Sequence, residues 1–190
     1  GRGGGAAAED YVAVAQAFRR AGEHERAQVL LEQARLEHPG ELEVLVHLAH
    51  AYIGTNNLIA AGELLQVAAE SKTKYIRESA ELFRRAGAYR RALYMNSRIS
   101  DQRKKFKQRV AILLERKDFE RIASLGSRLS RLGLLSDQTI LYALAYAHFK
   151  IRNFDRALAF TKRIDDREMF DSAVKLRRAI EMCKEKPWQC

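Results

Sequence analysis

The stretch Tyr11–Pro39, YVAVAQAFRRAGEHERAQVLLEQARLEHP, decides the fold. Tyr11, Val14, Ala15 and Phe18 are spaced to share one face of a helix. Gly22 ends that helix, because the turn calls for a residue that accepts positive φ. Ala27, Leu31 and Ala34 mark one face of a second helix, and Pro39 stops it. Two short antiparallel helices follow, with small residues where they cross.

Working outward, the pattern recurs. In residues 42–72 it is Leu45, Leu48-Ala49 and Tyr52, then the turn Asn56-Asn57, then Ala61, Leu65 and Ala68. Ala27 and Ala61 lie 34 residues apart. In 73–102 the matching positions are Ile76, Ala80, Phe83, Gly87 and Ala92, only 31 residues on from Ala61, so the connection Ser71–Lys74 is short. In 103–137 the pattern runs Phe106, Val110, Leu113, Lys117, Phe119 and Ile122, without a small residue at the crossing, which predicts a wider splay. In 138–167 it recovers as Leu141, Leu144-Ala145, Phe154, Ala157 and Ile164. A last amphipathic helix over 168–183 carries Phe170, Ala173, Val174, Leu176, Ile180 and Met182 against a polar face, as a solvating cap would.

This spacing resembles the tetratricopeptide repeat, whose aromatic, Leu-Gly, Tyr, Ala, Phe and Pro positions recur about every 34 residues. In the first copy Tyr11, Val14-Ala15, Phe18, Ala27, Leu31 and Pro39 take those places. No strand-like alternation interrupts the series. The expected fold is all-α: a right-handed superhelical solenoid of tetratricopeptide-type hairpins, closed by a C-terminal capping helix. It forms a single domain over 8–190, with 1–7 as a linker or boundary. A hairpin cannot bury its own apolar face, so its stability comes from its neighbours.

Composition narrows the function. The chain is 47% hydrophobic and 31% charged with only two prolines, which suits a helical domain rather than a disordered one. Four of its 11 glycines fall in the first five residues, leaving the rest nearly free of helix breakers. No apolar run approaches the roughly 18 residues of a membrane helix, so membrane insertion is not expected. The net charge of +10 is unevenly placed: −5 over 1–70, +12 over 71–131 and +3 over 132–190. Such asymmetry either creates a directed field or is a set of solvated helix faces.

No catalytic motif is present: no nucleophile elbow, P-loop or paired-histidine metalloprotease helix. GRGGG follows no strand and is read as a linker, not a dinucleotide fingerprint. His47 and His50 sit three apart with no third ligand nearby, so a groove or surface role is expected and no metal or other cofactor. An enzyme is not expected. Cys183 and Cys190 are the only cysteines and flank Pro187 and Trp188. A turn at Pro187 would bring them within disulfide reach, implying an oxidising compartment; the alternative is a pair of reduced cytosolic thiols.

In tetratricopeptide arrays first helices line a concave groove. The resemblance, carried by register, therefore implies groove positions at Lys74, Arg77, Glu81, Arg84 and Arg85, then at Lys104, Lys107, Ala111, Leu114 and Glu115. Thr139, Tyr142, Tyr146, Phe149 and Lys150 complete the set. A basic groove would pass into an aromatic wall, which suits an acidic, partly apolar protein surface. Basic groups beside aromatics can also take nucleic acid. No nucleic-acid module accompanies them and the helical register accounts for both, so nucleic acid is not expected.

The C-terminal stretch RLSRLGLLSDQTILYALAYAHFKIRNFDRALAFTKRI, with MFDSAVKLRRAIEMC and PWQC, is similar to the periplasmic repeat region of the Pel exopolysaccharide export proteins. That resemblance lies mainly in residues 84–190. It implies a periplasmic scaffold at an outer-membrane secretion machine, docking a polysaccharide deacetylase or hydrolase, with the exopolysaccharide itself as a second contact. Partly deacetylated Pel is cationic and a +12 segment would repel it, so enzyme docking is favoured over polymer handling. The other class is a cytosolic tetratricopeptide adaptor that clamps an acidic peptide tail.

Overall fold

The computed structural model describes residues 6–186 and 188. They are all-α, with twelve α-helices, one 3₁₀ turn at Leu134–Ser136 and no strand among them. The backbone groups into two compact units, divided along the chain between Ile99 and Ser100.

The first unit holds three hairpins: α1 (Ala8–Arg20) with α2 (His24–Glu37), α3 (Leu42–Gly54) with α4 (Leu58–Ser71), and α5 (Tyr75–Arg85) with α6 (Tyr89–Ser97). Each helix packs on the next in order, and α1 also touches α3. The second unit holds α7 (Gln102–Glu115), α8 (Phe119–Ser124), α9 (Gly126–Arg131), α10 (Gln138–Lys150), α11 (Phe154–Thr161) and α12 (Arg167–Glu185). Here α10 is central. It touches α7, α8, α11 and α12 and buries Ile140, Leu141, Ala143, Leu144, Ala145 and Ala147.

One turn geometry is used in all five hairpins. Gly22, Asn56, Gly87, Lys117 and Arg152 have φ of 78°, 59°, 72°, 60° and 62°. The next N–H reaches back to a carbonyl five residues earlier: Glu23 to Phe18, Asn57 to Tyr52, Ala88 to Phe83, Asp118 to Leu113 and Asn153 to His148, all at 2.8–2.9 Å. This left-handed cap satisfies the carbonyls that a helix end would otherwise strand. The residue making that bond also begins the next helix, as its carbonyl accepts from Ala27, Ala61, Ala92, Ile122 or Ala157. Those five side chains, each five residues past the left-handed position, are fully buried at the crossings. In the fourth hairpin an isoleucine fills the place of the alanine, and the following helix is short, breaking at Leu125 before α9.

Helix starts follow a second local rule. Asn57, Asp101, Asp137 and Asp166 each accept a backbone N–H of the first helical turn through the side chain. Between α4 and α5 the close approach depends on Gly62. A Cβ there would stand 2.9 Å from the buried Phe83 ring, and the Ser79 hydroxyl donates to the Gly62 carbonyl at 2.8 Å.

Two apolar faces differ from the sequence expectation. In α1 the buried side chains are Tyr11, Val12 and Ala15, whereas Val14 is 49% exposed. The face that meets α2 and α3 keeps Tyr11 and Ala15 from the three-one-three spacing but turns toward Val12 and away from Val14. In α12 the buried row is Ala173, Leu176, Ile180 and Cys183, and Phe170 and Met182 face outward. The expected bond from Cys183 to Cys190 ends on a residue that lies outside the described ones.

Candidate interaction surfaces

The first helices of the hairpins carry the candidate groove residues, each unit presenting its own set. On α5, Arg77 and Arg85 are exposed, and Lys74 at its N-cap lies with Nζ 4.8 Å from the Tyr75 ring centroid. Arg84 is half-buried, and its Nε donates to Glu81 Oε2 at 2.9 Å. On α7, Lys104 is exposed and lies 3.5 Å from the Asp101 carboxylate. Lys107 forms a 2.6 Å ion pair with Asp137, the N-cap of α10. Burial alone would raise the Asp137 pKa. The Lys107 ammonium and the N–H groups of Ile140 and Thr139 outweigh it, and the carboxyl is held below its usual range.

The basic character counted along the chain is therefore compensated in part in space. Arg91 pairs with Glu63, Arg98 with Glu70 and Arg121 with Asp118. Arg84, Lys104 and Lys107 are engaged within the chain, so an acidic ligand would have to compete with their carboxylates. The sequence could not show this, because a segmental count sums charges without placing partners from neighbouring helices.

On α10 the three aromatic positions come together. Tyr142 and Tyr146 stack with centroids 6.3 Å apart and 9° between their planes. Phe119 of α8 meets Tyr146 edge-on at 5.6 Å, and Phe149 leans on Phe154 of α11 at 6.1 Å. Lys150 Nζ sits 5.2 Å from the Tyr146 centroid. Tyr142, Tyr146 and Phe149 are half-buried against the cluster of Ala145, Ala157, Leu176 and Ile180. Burial, with Tyr146 close by, raises the Tyr142 pKa. Part of each ring thus belongs to the core, and the remainder forms a shelf with a cation over it.

A polar row in the first unit is only partly foreshadowed by the spacing of His47 and His50. Gln16 and Arg19 of α1 meet His47 of α3 at 3.1 and 3.3 Å. His47 and His50 contact edge-on at 6.2 Å, and Glu78 of α5 approaches His50 at 3.6 Å. Burial first, then the nearby Arg19, lowers the pKa of both histidines. Repeat register is a signal for part of the row, since Gln16 and His50 share one position 34 residues apart and His47 and Glu78 share another 31 apart. Among the described residues, no group of three or more potential metal ligands forms.

Comparison with known proteins agrees with this geometry. A tetratricopeptide repeat family model matches residues 18–82. No curated protein sequence matches the chain. A tetratricopeptide repeat protein from Parabacteroides merdae superposes with a TM-score of 0.57 at 13% identity, covering 94% of this chain and 73% of the other. MamA MSR-1 C2 gives 0.59 at 20% identity, covering 90% and 97%. Pseudomonas aeruginosa PilF gives 0.53 at 13% identity, covering 95% and 92%. At these identities the likeness concerns the fold. The chain has a tetratricopeptide-type fold, and its residues 18–82 match the family's model.

Proposed function

We propose that the protein is a non-catalytic interaction scaffold whose first-helix faces dock a partner protein with an acidic, partly apolar surface. The observation that carries this reading is the shelf on α10: stacked Tyr142 and Tyr146 with Lys150 over the ring, half-buried and with the rest of each tyrosine open to solvent. Half-desolvated aromatics next to a cation are the usual anchors of protein interfaces. Arg77 and Arg85 on α5 would steer the encounter electrostatically.

The finer reading is a periplasmic scaffold in Pel-type exopolysaccharide modification and export, with a polysaccharide deacetylase or hydrolase as partner. Its support is the sequence resemblance over 84–190 and the cysteine pair at the C-terminus. The cytosolic adaptor for an acidic peptide tail differs from it in compartment, and the redox state of Cys183 and Cys190 separates the two.

The test captures partners from a periplasmic extract, then measures binding of each purified candidate to the parent chain, Tyr146→Ala and Arg85→Glu. Tyr146→Ala costs on the order of 2 kcal/mol, about thirtyfold in affinity. Arg85→Glu slows association and flattens its salt dependence. Circular dichroism must show both variants folded. Parent-like binding by both, at low and physiological salt, refutes the assignment.

A further inference from the structure

A second site uses none of the first-helix groove positions. In the second unit, a groove of about 510 Å³ runs between the α8–α9 segment and the α10–α11 hairpin. Its polar lining is Ser124, Ser127, Ser130, His148, Arg156 and Arg163, and no carboxylate lines it. Among the described residues neither Arg156 nor Arg163 has an ion pair, whereas Lys107, Arg121 and Lys184 of the same unit do.

His148 adds an independent observation. It is 3% exposed, it lines the groove, and its Nδ1 is buried without a hydrogen-bond partner. Its ring stacks on Phe160 at 5.6 Å with 15° between planes, which fixes its orientation. Burial and the proximity of Arg156 favour the uncharged ring. A buried polar atom left unsatisfied costs free energy comparable to a lost hydrogen bond. An oxyanion in the groove would remove that cost by accepting from Nδ1–H, while two guanidinium groups balance its charge and hydroxyls complete its donors.

We propose that this groove binds a tetrahedral oxyanion of the phosphate class, held by Arg156, Arg163, the Ser127 and Ser130 hydroxyls and His148 Nδ1. Two forked guanidiniums with several hydroxyl donors suit a multiply charged tetrahedral group better than a planar carboxylate. The site involves none of the first-helix groove residues, so it stands or falls separately from the scaffold reading.

The test titrates the full chain with inorganic phosphate at constant ionic strength, reading the His148 ring resonances by NMR and the binding heat by calorimetry. Phosphate produces a saturable shift at His148. Arg156→Gln and Arg163→Gln each weaken binding by about tenfold, as loss of a charge-assisted hydrogen bond does. Ser127→Ala, at an exposed position that leaves the core untouched, weakens it to a lesser degree. Lys162→Gln, an equal loss of charge outside the groove lining, leaves affinity within about twofold. Tighter binding of O-phosphoserine than of phosphate supports the site and assigns it to a phosphorylated ligand; the reverse supports it as a free-phosphate site. Absence of a saturable His148 shift, equal weakening by Lys162→Gln, or acetate binding as tightly as phosphate overturns the proposal.

Discussion

Lys117 and Gly87 occupy the same place in equivalent turns, with φ of 60° and 72°, so substitutions there should act in opposite directions. A residue with a Cβ in the left-handed region is strained by roughly 1–2 kcal/mol. Glycine removes that strain but adds about 0.5–1 kcal/mol of unfolded-state entropy. Lys117 is exposed, so Lys117→Gly removes little packing. The balance is a gain of roughly 0.5–1 kcal/mol. Gly87→Ala runs the same terms backwards: an added Cβ meets nothing within 4 Å, so the loss, again roughly 0.5–1 kcal/mol, is conformational rather than steric. Arg116, one residue before Lys117, has φ −70°, and Arg116→Gly should lose stability because no left-handed strain is there to relieve. Urea unfolding followed by circular dichroism resolves these signs, and melting temperatures should move by roughly 2–8 °C per kcal/mol, depending on whether each compact unit melts alone. If Lys117→Gly lowers stability as Gly87→Ala does, the shared turn is not what sets these energies and the reasoning fails.

Three other outcomes are expected. Ala92→Leu overpacks the fully buried α5–α6 crossing and costs roughly 1–3 kcal/mol; an unchanged melting temperature would remove Ala92 from the crossing. His47 and His50 have folded-state pKa values below their unfolded ones, so the unfolded chain binds more protons as the pH drops through and below about 6.5. Stability contributed by the neutral rings is complete above that value and falls on acidification, before carboxylates begin to titrate. A His47→Gln, His50→Gln double variant should flatten the stability profile between about pH 7 and pH 5.5, and an unaltered slope would contradict the burial argument. For the cysteines, intact mass with and without reductant should differ by two hydrogens in protein exported to the periplasm; two alkylatable thiols there would favour the cytosolic adaptor.

Local constraints are legible in the sequence by itself. A left-handed turn and a small residue five positions later are demands of the backbone and of one helix crossing, both settled within a few residues. Gly22 with Ala27 and Asn56 with Ala61 therefore announce the hairpin. Even where Lys117 and Arg152 replace glycine, the period locates the turn. The all-α architecture and the tetratricopeptide-type fold follow from that repetition.

What the chain by itself did not determine depends on the neighbouring helix. Val12 rather than Val14 is buried because α2 and α3 choose the face of α1. Lys107 is neutralised because Asp137, thirty residues later, caps the helix packed beside it. The break at Leu125 shortens a second helix whose length the period alone does not set. His148 reads as one more helix residue in LYALAYAHFK, and only packing leaves its Nδ1 buried without a partner in a groove that also holds Arg156 and Arg163. Period identifies equivalent positions, but the partner of a long polar side chain is set by interhelical distances that a one-dimensional pattern does not contain.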